Sequence, residues 1–368
     1  MKENKKHLIH LVSNKEWGGG EQYVYDICRS LGNEEYLVSL FCRPIKQVFD
    51  RLSTLNLPLY ELPLKGVADV FSACCLSRHL RQGECIIHCH NFKDAFTAAY
   101  ARFLAGNKNV RIVLTRHLVR KGKTSWLYRW LYREIDTVVF VSELAKREFL
   151  RSNPKIDIER LVVIPNSIVL PVSLPIVNVR EEFSISQDCV LAMSHGRLAA
   201  EKGLEVLIDA MRMLKDKSIC LLLIGRGEDA YVDSLRKRVE EYGLKERVLF
   251  AGFRAPVLPY LSACDFGILP SIVQESSSLS CMEYMSQGRT VIATNNGGQA
   301  EYLVHGQNAL LVPPNDVKAL AESIVELTDN VPKCSALGQQ ALIDYTEKLN
   351  YNKFLALIRR VYEGRTLA

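Results

Sequence analysis

The most constraining feature of this 368-residue chain is a rhythm of short apolar runs, each followed by an amphipathic or turn segment, that is played through twice. In the first half the runs are His7–Val12, Tyr36–Cys42, Cys85–His88, Arg111–Thr115 and Thr137–Val141. In the second they are Cys189–Ser194, Ile219–Ile224, Arg247–Ala251, Phe266–Leu269, Thr290–Thr294 and Ala309–Val312. Such runs suit parallel strands covered on both faces, and the segments between them suit crossover helices. The rhythm breaks once, around residues 165–186, where Pro165, Pro171 and Pro175 space an extended stretch without helical periodicity. That stretch reads as a linker. The expected fold class is therefore α/β, with one Rossmann-like domain over residues 1–170 and a second over 171–350. The chain is long enough for two such cores. A terminal helix over about 351–368, carried by the apolar spacing of Asn352–Tyr362, is expected to pack back on the first domain.

Composition removes several classes. No apolar run approaches the roughly 20 residues of a membrane-spanning helix. The charged start Met1–Lys6 leads into only His7–Val12, too short a run for a signal peptide. Eleven scattered cysteines, an odd count with Cys74 and Cys75 adjacent, point to reduced thiols and a cytoplasmic location. The closest approach to a metal motif is Cys85, His88, Cys89 and His90, which lacks a second ligand pair at a distance and reads as strand-end residues. No metal site is expected.

Charge is unevenly placed. Residues 1–170 carry 26 basic and 17 acidic side chains, whereas residues 171–368 carry 21 and 24. The basic half is expected to face something anionic. Within it, residues 111–133 interleave Arg116, Arg120, Lys121, Lys123, Arg129 and Arg133 with Trp126, Tyr128, Trp130 and Tyr132. Cations and aromatic rings in that mixture fit an anionic membrane surface, giving a possible peripheral contact on the cytoplasmic face. The alternative is a helix that packs its aromatics on its own domain. Stacking platforms and groove-reading motifs for nucleic acid are missing.

Three segments carry chemistry. Met193 to Gly203 follows a strand and opens a helix running to about Leu214, with Gly196 allowing close backbone approach and Arg197 and Lys202 supplying charge for phosphate. Gly225 and Gly227 follow another strand, where a ligand could again come close, but the third glycine of a dinucleotide fingerprint is absent. Hydride transfer is thereby disfavoured. In the third segment Glu275 and Glu283 stand eight positions apart across a strand-to-helix junction, with Ser276, Ser277, Ser278 and Leu279 between them. Backbone N–H groups at such a helix start are available to a sugar or phosphate.

In order and spacing the whole chain resembles the retaining family-4 glycosyltransferases of the GT-B fold. The likeness is carried by Gly18-Gly19-Gly20-Glu21, His117, Ser142, Asn166, the Gly196 to Gly203 motif, Gly225 and Gly227, and Gly252-Phe253. It continues through Asp265, Pro270-Ser271, Glu275 with Glu283, Asn296-Gly297-Gly298, Glu301, and Gly306 to Asp316. The resemblance implies two domains whose parallel sheets face a central cleft. It implies an enzyme of the hexosyl-transferring class (EC 2.4), with Glu275, Arg197, Lys202 and His117 in catalysis. Arg197 and Lys202 would hold the donor diphosphate, Glu275 the donor sugar, and Glu283 the ribose. Gly18, Gly19 and Gly20 would cover the diphosphate from the opposite domain, and His117 would point toward the reacting sugar or acceptor. Gly196, Gly225, Gly227, Phe253 and Ser276 to Leu279 would complete the donor site.

The same resemblance implies a retaining, metal-independent transferase that uses a UDP- or GDP-linked sugar and no cofactor, with a glycan or lipid-linked acceptor in cell-surface polysaccharide or glycolipid synthesis. A non-catalytic sugar-nucleotide-binding protein and a sugar-nucleotide epimerase of the same fold are the alternatives. One departure from the family pattern stands out: Ser276-Ser277-Ser278 replaces a glycine and an aromatic, which bears on donor choice and on loop geometry.

Overall fold

A computed structural model describes residues 5–31 and 35–365. They form two compact units, one running to Asn166 and rejoined by the chain from Asn352 on, the other Ser167–Tyr351. The first unit therefore ends four residues before the expected boundary, and the extended residues after it belong to the second.

The first unit is built on β1 (Lys6–Val12), β2 (Tyr36–Cys42), β3 (Leu59–Glu61), β4 (Cys85–Cys89), β5 (Val110–Arg116), β6 (Thr137–Phe140) and β7 (Leu161–Val163). All pairings are parallel, in the order β3-β2-β1-β4-β5-β6-β7. The apolar runs locate five of these strands within a residue or so. The three-residue β3 and β7 were not expected, because edge strands so short leave no pattern to read. Period-two alternation sends Cys85, Ile87 and Cys89 into one core with Ile9, Leu11, Ile112 and Leu114. Full burial of each aliphatic side chain there stabilises the unit by about 2 kcal/mol.

The terminal helix is Tyr351–Glu363, and residues 366–368 of the expected span lie outside the described residues. It lies on the first unit. Phe354 meets the Tyr23 ring edge-on at 5.3 Å, and the Arg111 guanidinium donates to the Tyr362 carbonyl at 3.2 Å.

The second unit repeats the plan with β8 (Val190–His195), β9 (Ile219–Ile224), β10 (Val248–Gly252), β11 (Phe266–Leu269), β12 (Val291–Thr294) and β13 (Leu310–Val312), all parallel in the order β10-β9-β8-β11-β12-β13. Its strands are buried on both faces, which is why they read as continuous apolar runs. Leu221 and Leu223 enter one cluster, Cys220 and Leu222 the other. Each sheet has one point where strand order reverses, between β1 and β4 in the first and between β8 and β11 in the second. In open parallel sheets, ligands bind outside the strand C-termini at such points.

Candidate functional site

The loops leaving β8 and β11 border one concavity in the second unit, lined among others by Gly196, Arg197, Lys202, Ser271 and Glu275. The helix expected to open in the Met193–Gly203 segment starts only at the end of that segment. Ala200–Lys202 form a single 3-10 turn, and the α-helix Leu204–Met213 begins only after Gly203. Gly203 decides this. Its φ is +69°, and a Cβ on it would stand 2.1 Å from the Pro270 carbonyl oxygen, so the two loops press together where only glycine fits. The Ile272 N–H donates across the same seam to the Glu201 carbonyl at 3.0 Å.

This contact sets the charged groups. Lys202 Nζ donates to Glu275 Oε1 at 2.8 Å, and the Ser271 hydroxyl donates to the same oxygen. The Glu275 carbonyl accepts from the Gly298 N–H at 2.8 Å, and Asn296 Nδ2 donates to the Ile272 carbonyl at 3.2 Å, which ties the loop to the chain after β12. Arg197 turns instead to Glu201 at 2.5 Å with its side chain 63% exposed. An ion pair that open to water contributes little to stability and leaves the guanidinium easily redirected.

Glu283 lies on the next helix, Leu279–Ser286, and its Oε2 meets His195 Nε2 at 2.6 Å. His195 Nδ1 is buried without a partner, which places the ring proton on Nε2, donated to Glu283. Sequence reading passed over His195, although it directly precedes Gly196. Neighbouring serines answer the question of loop geometry: none of Ser276, Ser277 or Ser278 has a positive φ, so the missing glycine costs the backbone nothing. Ser278 caps the helix, accepting from the Cys281 N–H at 3.4 Å, and Leu279 is its first residue. Ser277 Oγ is buried without a hydrogen-bond partner.

Gly225 and Gly227 must be glycine for a packing reason that sequence reading did not supply. A Cβ on Gly225 would lie 1.8 Å from the Gly196 oxygen, and one on Gly227 would lie 1.9 Å from the Leu198 oxygen. They let the loop after β9 close against the loop after β8, which carries Gly196 and Arg197. Phe253, just past β10, is exposed, with the Arg226 guanidinium 4.9 Å above its ring.

In the first unit Gly18, Gly19 and Gly20 open the helix Gly19–Leu31. Glu21 belongs to the cap. Its carboxylate accepts from the Gly18 N–H at 2.9 Å and from Asn14 Nδ2, as in a capping box. His117 follows β5, and its ring lies under Gly20, where a Cβ would be 3.7 Å from His117 Cδ2. Around it stands a cluster that sequence reading did not assemble. His10 on β1 pairs in register with His88 on β4, and His90 lies just past that strand. Among the described residues, His10, His88 and His90 have donor atoms within 4.8 Å of one another. Cys85 and Cys89 point to the opposite face of β4 and do not join them. Both His88 nitrogens are engaged at 2.7 Å, Nδ1 with the Tyr362 hydroxyl and Nε2 with the Thr115 hydroxyl. Burial pushes His10 down to about 3 and, with Arg116 beside it, His117 down to about 4. Burial and then the neighbouring imidazoles hold His88 and His90 well below the ordinary histidine range.

Other residues of the shared pattern build the fold. Ser142 and Asp316 are helix N-caps, accepting from the Ala145 N–H at 3.2 Å and the Ala319 N–H at 2.9 Å. Asp265 accepts from the Leu191 N–H at 2.7 Å beside β8. The aromatic residues of 111–133 divide. Trp130 packs parallel to the Tyr100 ring at 5.4 Å and Tyr132 is buried, whereas Trp126, at the start of the helix Trp126–Glu134, is 78% exposed. All eleven cysteines are free thiols.

Comparison with known proteins gives the same picture for both units. Residues 190–330 match the family described as Glycosyl transferases group 1, and residues 17–170 match Glycosyltransferase Family 4. An uncharacterized glycosyltransferase of Methanocaldococcus jannaschii is 25% identical over 361 residues, covering 94% of each chain. The amylovoran biosynthesis glycosyltransferase AmsK of Erwinia amylovora is 24% identical, covering 67% of this chain and 61% of its own. Among solved structures, HepE of Anabaena in complex with UDP superposes with a TM-score of 0.86 at 20% identity, covering 97% of this chain and 99% of that one.

Proposed function

The chain is a glycosyltransferase of group 1, family 4, with the GT-B fold, and on that premise we propose that it moves a sugar from a nucleoside diphosphate to a hydroxyl of a glycan or lipid-linked acceptor, with retention and without a metal ion. The observation that carries this reading is Lys202 held against Glu275 at the reversal point of the second sheet. A cation and a carboxylate fixed together there suit a substrate that is anionic at its diphosphate and rich in hydroxyls at its sugar. Lys202, with Arg197 swung from Glu201, would neutralise the charge that grows on the departing diphosphate, the task a divalent cation performs elsewhere.

The remaining groups take supporting roles. Gly196, at φ +134°, lets the phosphates come up to the backbone. Glu275 would accept from sugar hydroxyls, and Glu283, held by His195, from the ribose. Phe253 and Arg226 offer an apolar and cationic face to the base. Ser277 Oγ is a polar atom that a donor group would satisfy. The Anabaena neighbour with bound UDP supports a nucleotide-sugar donor, and the amylovoran relative supports a role in polysaccharide synthesis.

Calorimetry with UDP, GDP and ADP in the presence of EDTA tests the donor site. One of the three is expected to bind the wild type, and Arg197→Ala with Lys202→Ala together to weaken it roughly 10- to 100-fold, the worth of one or two charge-assisted hydrogen bonds. Undiminished affinity in the double variant, or binding that appears only with Mg²⁺, would remove the metal-independent reading.

Under the same reading the protein works peripherally, on the cytoplasmic face of a membrane. No helix among the described residues is long and apolar enough to cross one. Exposed Leu118 and Trp126 instead flank the cations Arg120, Lys121 and Lys123. Wild-type protein is expected to float with vesicles containing phosphatidylglycerol and not with phosphatidylcholine alone, and Trp126→Ser to cut the floated fraction severalfold. Equal flotation of the two proteins would sink this part.

A further inference from the structure

The histidine cluster of the first unit contains an ordered row. His10 Nδ1 lies 3.2 Å from His90 Nε2, and His90 Nδ1 lies 3.3 Å from His117 Nε2. The ring planes are close to coplanar, 8° apart for the first pair and 25° for the second, with centroids 5.5 Å apart in each case. Each centroid separation exceeds its N···N distance by about the span of two ring radii, so the contacts run edge to edge along the in-plane lone pairs. That is hydrogen-bond geometry. His88 stands outside the row, bonded to Tyr362 and Thr115.

A neutral imidazole has one N–H and one lone pair, so a row of three must donate in one direction throughout. If the protons sat on Nε2, the last of them, on His10, would be a buried donor with no acceptor, because His10 Nε2 has no partner. If they sit on Nδ1, that orphan is a bare lone pair. Buried donors without partners are the rarer and costlier case, and the second arrangement wins. Arg116, next to His117 in sequence, and the packed rings themselves oppose an added proton.

We propose that His10 and His90 are positioning residues that lock His117 as its Nδ1–H tautomer. The tautomer follows from the geometry of the first unit alone.

The test is long-range ¹H–¹⁵N correlation on full-length protein labelled at histidine, at neutral pH, with resonances assigned by single His→Gln variants. His10, His90 and His117 are expected to show protonated Nδ1 and bare Nε2. In His90→Phe, or in His90→Gln if the first does not fold, His117 is expected to lose that preference and populate Nε2–H, the form imidazole prefers in water. Nε2–H on His117 in the wild type, or an unchanged His117 tautomer in a folded His90 variant, would overturn the proposal. So would loss of the Nδ1–H signals with one equivalent of Zn²⁺, which would make the cluster a metal site. The readout uses no nucleotide, so a failed donor-binding experiment and a failed tautomer experiment are told apart.

Discussion

Glu275→Gln is expected to lower sugar transfer about 100-fold or more while leaving nucleoside diphosphate affinity within a few-fold of wild type, a loss of the size seen when one preorganised electrostatic group leaves an active site. Glutamine has the shape of glutamate, and its carbonyl oxygen can still accept from Lys202 Nζ and the Ser271 hydroxyl, so the loop after β11 should stay where it is. What disappears is the negative charge that holds Lys202 and that, in the proposed function, faces the sugar hydroxyls. The diphosphate, in the proposed function, is read by Arg197, Lys202 and backbone N–H groups, all of which the variant keeps. Release of nucleoside diphosphate from UDP-glucose, UDP-galactose, UDP-N-acetylglucosamine and GDP-mannose, measured beside calorimetry on the same preparations, separates the two effects. Full turnover in the variant removes Glu275 from the reaction. Nucleotide affinity with no turnover by the wild type on any donor would favour a protein that binds sugar nucleotides without transferring them.

Gly225→Ala and Gly203→Ala should each destabilise the second unit by about 4 kcal/mol or more, among the larger effects of single substitutions. Two costs combine at each position. Alanine at φ +153° or +69° is strained, and its Cβ would lie 1.8 Å from the Gly196 oxygen or 2.1 Å from the Pro270 oxygen. Neither neighbour is the end of a flexible side chain. Both are backbone, in the loops that carry Arg197, Lys202 and Ser271, so relief of the clash must spread the site open. Gly243→Ala is the control, because its φ is +66° but nothing lies within 4 Å of the added Cβ. It should cost only about 1 kcal/mol. Urea unfolding of the full chain, with nucleoside diphosphate affinity on the material that folds, checks both statements. If Gly225→Ala unfolds at the same urea concentration as Gly243→Ala, the close loop contact is not part of the folded protein.

Much of the architecture was legible because parallel strands covered on both faces write themselves as uninterrupted apolar runs. Cys189–Ser194 and Ile219–Ile224 could be read almost to the residue against β8 and β9. The residues proposed for the donor site, Arg197, Lys202, Glu275 and Glu283, stood out in the sequence for a different reason. They follow strands at spacings that a loop and a helix start impose, and the chain as a whole carries the pattern of a family. β3 and β7 were not legible, since three residues at a sheet edge make no period.

Partner choice was beyond the sequence throughout. Nothing in the one-dimensional order says that Lys202 turns to Glu275 while Arg197 turns to Glu201, or that His195 holds Glu283. Nor does it say that Gly225 serves loop packing. Each follows from two loops, far apart in the chain, leaving neighbouring strands at the point where strand order reverses. The histidine row is the clearest case, because His10, His90 and His117 come from three separate segments and meet only when β1, β4 and β5 lie side by side. Periodicity and local spacing are short-range properties, so the sequence by itself determined the strands, the loops and the chemical groups each loop carries. Hydrogen-bond direction and charge pairing depend on distances between non-adjacent segments, and those the tertiary structure alone decided.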